Sequence, residues 1–359
     1  MIHTVIIAGG KGERFWPFST QENPKQLLRI ISKKSMLQET IERVADFVPY
    51  DRTVIVTGEN LKEKILEQFD FFNAGNILGE PCGKNTCMAI GFAAAHLHQQ
   101  DPEAIMVVLS ADHYIKPKEK LLEVLRIGSD IAAREDVLIT IGIKPTRPET
   151  GYGYIELGEL FDTKGDISTF RVAQFKEKPD QRLAQAYYID RSHLWNSGMF
   201  IWSTRAILKS LSCCKPEIHA ALMEYSSQIG TPQEMEARAK LFDKCENISI
   251  DVAVLEQADN VLVIKAKLIW DDIGSWRTLE RINPRDQNNN VIIGKVLLHD
   301  SFEVTAVNSS DSLVTTLGVS DLVIVKTDAA VLVAHKTRVN ELRSLLERIR
   351  EDKDLEKFL

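Results

Sequence analysis

The chain reads as an α/β protein built on a mixed, mostly parallel sheet, followed by a small all-β unit and a closing helix. Three observations predict this. Apolar runs of four to seven residues rich in Val and Ile recur with amphipathic segments between them: "HTVIIAG", "RTVIVTG", "AIMVVLS" and "VLITIGI". Runs apolar on both faces are what a sheet covered by helices on each side requires. Past Asn283 to Asn290, "NPRDQNNN", the pattern changes to "GKVLLHD", "FEVTAVNSS", "SLVTTLGVS", "LVIVKTD" and "AVLVAHK" at about ten-residue spacing, which signals a separate β unit. The domains are therefore expected over 1–285 and 286–359.

The elements follow in order. "HTVIIAG" opens the sheet, and Ser35 with Gln38 three residues on forms a capping-box signal before "MLQETIERVADFV". A second helix is expected from Asn85 or Thr86 through "CMAIGFAAAHLHQQ". Beyond residue 150, "TGYGYIEL" and "TFRVAQFKEKP" read as strands and "DQRLAQAYYI" as a helix. In the terminal segment "TRVNELRSLLERI", Val339, Leu342, Leu345, Leu346 and Ile349 are expected on one buried helical face. Trp195, Phe200 and Trp202 are expected in the core.

Composition narrows the class. At 44% hydrophobic and 26% charged, the 359 residues match folded globular proteins. The net charge of −7 argues against a broad nucleic-acid surface. No run of about 18 apolar residues is present to cross a bilayer, and "MIHTVIIAGG" lacks the basic start and cleavage site of a signal peptide, which places the chain in the cytoplasm. Five cysteines, Cys82, Cys87, Cys213, Cys214 and Cys245, are an odd count and are expected as thiols. Cys82 and Cys87 with His96 and His98 do not have the spacing of a zinc site.

The stretch "IIAGGKGERFWPFSTQENPKQL" carries the chemistry. Glycines after a strand let backbone N–H groups approach an anion. Gly-Lys-Ser/Thr is absent, and Phe15 stands where a dinucleotide fingerprint needs its third glycine. What remains is a loop whose Lys11, Arg14 and Lys25 can converge on a polyphosphate, with Trp16 and Pro17 stiffening the turn; the alternative is a solvated basic loop. Asp112 directly follows the run "AIMVVLSA", and Asp271 and Asp272 follow "KLIW". Carboxylates at strand ends suit Mg²⁺ together with triphosphate oxygens and water, or else cap a following turn.

"AGGKGERFWPFSTQENPKQL" resembles the signature of the sugar-nucleotide pyrophosphorylases, and "FWP" with "PKQL" resembles their mannose-1-phosphate guanylyltransferase branch. "GEPCGKNT", "SADHYI", "TGYGYI", "FKEKPD", "WNSGMFIW", "SIDVAVLEQ" and "IWDDIGSW" follow in the family's order and span almost the whole chain. The resemblance implies a Rossmann-like nucleotidyltransferase core with a left-handed β-helix-like C-terminal domain. It also implies an enzyme that joins GTP to mannose 1-phosphate with Mg²⁺. Arg14 and Lys25 would be catalytic. Ala8, Gly9, Gly10, Lys11, Gly12, Glu80, Pro81, Gly83, Asn85 and Thr86 would bind the nucleotide. Gly151, Tyr152, Gly153, Glu177, Lys178 and Asn196 would bind the sugar phosphate, and Asp112 and Asp272 the metal. Asp251 would lie near the sugar site. A carboxylate at Glu80 would accept from guanine N1–H and N2–H₂. Partners would be these small molecules, with no nucleic acid or membrane, and the assembly a homodimer. Thr20, Ser110 and Cys87-Met88 depart from the usual pattern and leave sugar choice open. Rival readings are transfer to another hexose 1-phosphate or nucleotide, and a non-catalytic sugar-nucleotide sensor. The chain stops short of members with an added isomerase domain, so no isomerase activity is expected.

Overall fold

The computed structural model describes residues 1–10, 12–69 and 71–359. Two compact units result, one of Met1–Gly9, Glu39–Ala111 and Ile115–Trp270, the other of Gly10–Gln38, Asp112–Tyr114 and Asp271–Leu359.

The strands in chain order are β1 (Ile2–Ile7), β2 (Thr53–Gly58), β3 (Ile77–Glu80), β4 (Ile105–Ser110), β5 (Tyr114–Lys116), β6 (Leu138–Ile143), β7 (Tyr154–Lys164), β8 (Ile167–Lys176), β9 (His193–Ser203), β10 (Val261–Ala266) and β11 (Ile269–Asp271). The main helices are α1 (Met36–Val44), α2 (Lys62–Gln68), α3 (Asn85–Gln100), α4 (Lys118–Ala132), α5 (Gln181–Asp190), α6 (Thr204–Cys214), α7 (Pro216–Ser226) and α8 (Glu234–Lys244). The first unit centres on a nine-stranded sheet ordered β3-β2-β1-β4-β9-β6-β10-β8-β7. All of its strands but β8 and β9 run in one direction, which is the mixed, mostly parallel arrangement expected.

Alternation along β4 explains why its run is apolar throughout. Met106 and Val108 enter a core shared with α3, α6 and α7, whereas Ile105, Val107 and Leu109 enter the opposite one, shared with α4. Helices on both faces leave no side of the strand for polar residues. α3 is buried along most of its length, from Cys87 to Ala95. Ser35 Oγ accepts from the Gln38 backbone N–H at 3.2 Å, and Asp180 Oδ1 from Leu183 N–H at 2.8 Å, so the polar residue before each helix acts as its cap. Trp195, Phe200 and Trp202 are buried.

In the second unit, α9 (Leu279–Ile282) precedes β12 (Val291–Ile293), β13 (Val296–His299), β14 (Thr305–Asn308), β15 (Val314–Leu317), β16 (Leu322–Lys326) and β17 (Val331–His335). β12, β14 and β16 form one parallel ladder and β13 and β15 a second, so the chain coils from one face to the next in β-helix manner. β17 returns antiparallel against β16 and ends the coil. Phe15, Trp16, Trp276, Val307, Val325 and Leu346 share one core, which makes the aromatic residues of the glycine-rich loop structural anchors. Trp276 Nε1 donates to the Trp16 carbonyl at 3.1 Å, and Trp16 Nε1 to the Phe358 carbonyl at 2.8 Å.

The closing helix α10 (Leu342–Glu351) corrects one expectation. Val339, Leu342, Leu346 and Ile349 are buried, but Leu345 is 40% exposed. With 342, 346 and 349 defining the packed stripe, residue 345 turns to its flank.

Candidate active site

Within the first unit, Ala8 and Gly9 leave the C-terminal end of β1, and Glu80 ends β3. Ala8 is fixed by its N–H to the Val56 carbonyl at 2.8 Å and by Thr57 Oγ donating to its own carbonyl at 2.9 Å. Glu80 is 6% exposed, and its Oε1 has no hydrogen-bond partner. Burial without a neighbouring cation raises its carboxyl to about 7. A Cβ on Gly9 would sit 3.7 Å from Glu80 Oε2, so the backbone after β1 borders this carboxylate. Pro81 and Gly83 are exposed, as is Asn85, which has φ of 67° and accepts from Thr86 N–H at 2.9 Å. Thr86 Oγ in turn accepts from Ile250 N–H at 2.9 Å and ties the start of α3 in place.

A second group in this unit gathers around Asn196 on β9. Asn196 Nδ2 donates to Asp251 Oδ1 at 2.8 Å, and its Oδ1 accepts from Thr140 Oγ at 2.8 Å. Gly153 is required here, since a Cβ would lie 2.6 Å from Glu177 Oε2 and 3.3 Å from Asn196 Cβ. Of the three residues Gly151, Tyr152 and Gly153, it is Gly153 that borders Glu177 and Asn196; Lys178 pairs with Glu177 at 3.0 Å from a largely exposed position. Tyr152 is buried edge-on against Trp195 and Trp270, at centroid separations of 5.2 and 4.9 Å. Asp251 rises to about 7 through burial and then the like charge of Glu177. Its place beside Asn196 comes from a chain separation of 55 residues that no local pattern reports. Arg147 and Glu149, which sequence reasoning missed, lie in the loop leading to Gly151.

Within the second unit, Lys25 Nζ donates to Asp112 Oδ2 at 2.5 Å and to the backbone carbonyl of Asp272 at 3.1 Å. Burial pushes the Asp112 carboxyl up, but the charges of Lys25 and His113 outweigh it and hold the group below the usual carboxylate range. The Asp272 carboxylate accepts from Gly274 N–H at 3.1 Å. Asp271 has a different fate, clamped by both Nε and Nη2 of Arg281 at 2.6 and 3.0 Å. Gly10 and Gly12 carry φ of 100° and 63°, and a Cβ on Gly12 would meet Lys25 Cβ at 2.5 Å, so only glycine lets the loop fold onto Lys25. Arg14 is exposed on the short turn Glu13–Phe15. Lys11 lies outside the described residues.

Among the described residues no three His, Cys, Asp or Glu side chains form a metal cluster, and all five cysteines are free. Around Lys25 stand the Asp112 carboxylate and the Asp272 backbone carbonyl, hard oxygen atoms, with the Asp272 carboxylate on the same residue. That fits an ion such as Mg²⁺, which takes one or two carboxylates and leaves its remaining positions to water and phosphate.

Comparison with known proteins identifies the family. Residues 3–289 match the nucleotidyl transferase family and residues 294–349 the MannoseP isomerase/GMP-like beta-helix domain. A mannose-1-phosphate guanylyltransferase of Klebsiella pneumoniae is 36% identical over 98% of this chain and 74% of that protein. One from Escherichia coli strain K12 is 36% identical over the same shares. A crystal structure from Thermus thermophilus, named a mannose-1-phosphate geranyltransferase, superposes with a TM-score of 0.83 at 33% identity, covering 97% of this chain and 99% of that one. The chain belongs to the nucleotidyl transferase family, in its mannose-1-phosphate guanylyltransferase branch.

Proposed function

We propose that this chain forms GDP-mannose and pyrophosphate from GTP and α-D-mannose 1-phosphate. A phosphate oxygen of the sugar attacks the α-phosphorus of GTP in line. The new P–O bond forms as the bond from the α-phosphorus to the bridging oxygen breaks, and that electron pair leaves with pyrophosphate. No protein base is needed, because a phosphate monoester with a second pKa near 6 is largely dianionic at neutral pH.

The observation that carries this reading is the buried, unpartnered oxygen of Glu80. A carboxylate only accepts, and guanine alone among the common bases offers two adjacent donors, N1–H and N2–H₂, to a pair of carboxylate oxygens. Ala8, Gly9, Gly10, Gly12, Pro81, Gly83, Asn85 and Thr86 complete the proposed nucleotide contacts, with Lys11 added from the sequence. Glu177 and Asn196 orient the mannose hydroxyls beside Gly151, Tyr152 and Gly153, and Lys178 meets the sugar phosphate. Arg14 and Lys25 neutralise charge on the transferring and leaving phosphates. Asp112 and Asp272 would hold Mg²⁺, which supplies Lewis-acid neutralisation of phosphate oxygens when bound.

We assign the transfer to residues 1–285 and the β-helix unit to 286–359. We further infer the cytoplasm as the location and a homodimer as the assembly, the latter read by sedimentation. Pyrophosphate release tests the function. Release is expected with GTP, mannose 1-phosphate and Mg²⁺ together and not with any one omitted. Faster release with dTTP or UTP, or with glucose 1-phosphate in place of mannose 1-phosphate, would overturn the assignment. Binding without release would point to a sensor.

A further inference from the structure

The loop between β6 and β7 carries a side-chain clasp that none of the assigned site residues supplies. Arg147 Nε donates to Glu149 Oε2 at 3.0 Å, and its Nη2 donates to the Tyr152 hydroxyl at 3.4 Å. Its guanidinium carbon also lies 5.0 Å from the Trp195 ring centroid and 5.7 Å from that of Tyr152. Glu149 extends the tie along the backbone. Its Oε1 accepts from Gly151 N–H at 3.2 Å, and its own N–H donates to the Tyr154 hydroxyl at 2.9 Å. The Gly153 carbonyl then accepts from Asn196 N–H at 2.8 Å. Arg147 and Glu149 thus hold Gly151 and the hydroxyls of Tyr152 and Tyr154, the residues on either side of Gly153.

Exposure argues for a positioning role over bulk stability. Arg147 and Glu149 keep 30% and 29% of their side chains exposed, and an isolated pair at that exposure contributes little to folding. A planar guanidinium that stacks and bonds at once constrains direction in a way an ammonium does not.

We propose that Arg147 and Glu149 are positioning residues that set the approach of the Gly151–Gly153 backbone to the sugar of mannose 1-phosphate. The proposal rests on the function assigned above, in which Gly153, Glu177 and Asn196 face the sugar. Without the clasp the loop keeps its glycines but loses its fixed distance from Glu177.

The test is steady-state pyrophosphate release with GTP and mannose 1-phosphate varied in turn, for Arg147→Ala, Arg147→Lys, Glu149→Gln and Glu177→Ala. Arg147→Ala and Glu149→Gln are expected to raise KM for mannose 1-phosphate about tenfold, as for loss of one charge-assisted contact, with KM for GTP moving less than about twofold. Added guanidinium ion is expected to restore Arg147→Ala in part, and Arg147→Lys to remain impaired. Unchanged KM for mannose 1-phosphate, or equal rises for both substrates with a lowered melting temperature, would overturn the clasp. If Glu177→Ala alone raises the sugar KM, the clasp falls and the sugar site stands. If Glu177→Ala also leaves that KM unchanged, the sugar site itself is misassigned and the clasp falls with it. Should Arg147→Ala fail to fold, Glu149→Gln, which keeps the side-chain shape, decides.

Discussion

Glu80 and Asp251 of the first compact unit and Asp112 of the second live in opposite electrostatic surroundings. In the first, Glu80 is buried and Asp251 half-buried, neither with a cation bonded to it, and both are raised to about 7. In the second, Asp112 is bonded to Lys25 and held below the ordinary range. The difference suits the two tasks proposed for these residues. A neutral donor such as a base N–H binds best to an acceptor whose capacity is not already spent on a lysine. Phosphates need the reverse, cations held ready, with carboxylates that stay ionised to keep them in place.

The sharpest way to break this comparison is at the cation. Lys25→Met is expected to lower kcat for pyrophosphate release by about 10²–10³-fold, the scale of losing one preorganised charge contact in a transition state. Its effect on KM for GTP should be much smaller, and a purely KM effect would remove Lys25 from the chemistry.

Next comes the folded-state cost of the uncompensated carboxyl. Glu80 is raised from 4.5 to about 7, so the folded protein holds that proton more tightly than the unfolded chain. The stability this confers is fully present below about pH 4.5 and is lost as pH rises through about 7. Denaturant unfolding should therefore show wild type losing on the order of 3 kcal/mol relative to Glu80→Gln between pH 4.5 and pH 8, from about 1.4 kcal/mol per pKa unit. Parallel pH curves for the two proteins would contradict the isolation of Glu80.

Binding should carry the same signature. KM for GTP is expected to fall as pH rises through about 7, because the guanine contact proposed for Glu80 requires its ionised form. In Glu80→Gln that limb should vanish while KM rises about 10–100-fold, as for a lost hydrogen bond to a charged group. The smallest effect lies outside both groups. Leu345→Ala should change stability by less than about 0.5 kcal/mol, since the side chain is on the flank of α10.

Much of the architecture was legible because it is written locally. Val-Ile runs gave β1, β2, β4 and β6, and Ser35 marked the start of α1 through a bond three residues long. The site was legible by residue type and order, through motifs such as "PKQL" and "TGYGYI". Its wiring was not. Lys25 meets Asp112 across 87 residues and Asn196 meets Asp251 across 55, and no periodicity encodes such pairs. Arg147 and Glu149 escaped notice for another reason: an arginine two residues from a glutamate is ordinary on any surface, and only the rings of Tyr152 and Trp195 beneath it give it direction. Leu345 fits a helical stripe on paper, and the exact start of α10 decides which residues of that stripe face inward.

The distribution of thiols gives this protein a built-in reporter position. Cys87 is buried and pushed up to about 12, and Cys245 is buried and raised as well, so neither offers a thiolate to an alkylating dye near neutral pH. Cys82 is exposed and stands two residues past Glu80, between Pro81 and Gly83. With Cys213 and Cys214 changed to serine, a single fluorophore on Cys82 would sit two residues from Glu80, the guanine acceptor proposed above, and its emission would time nucleotide arrival before any bond is made.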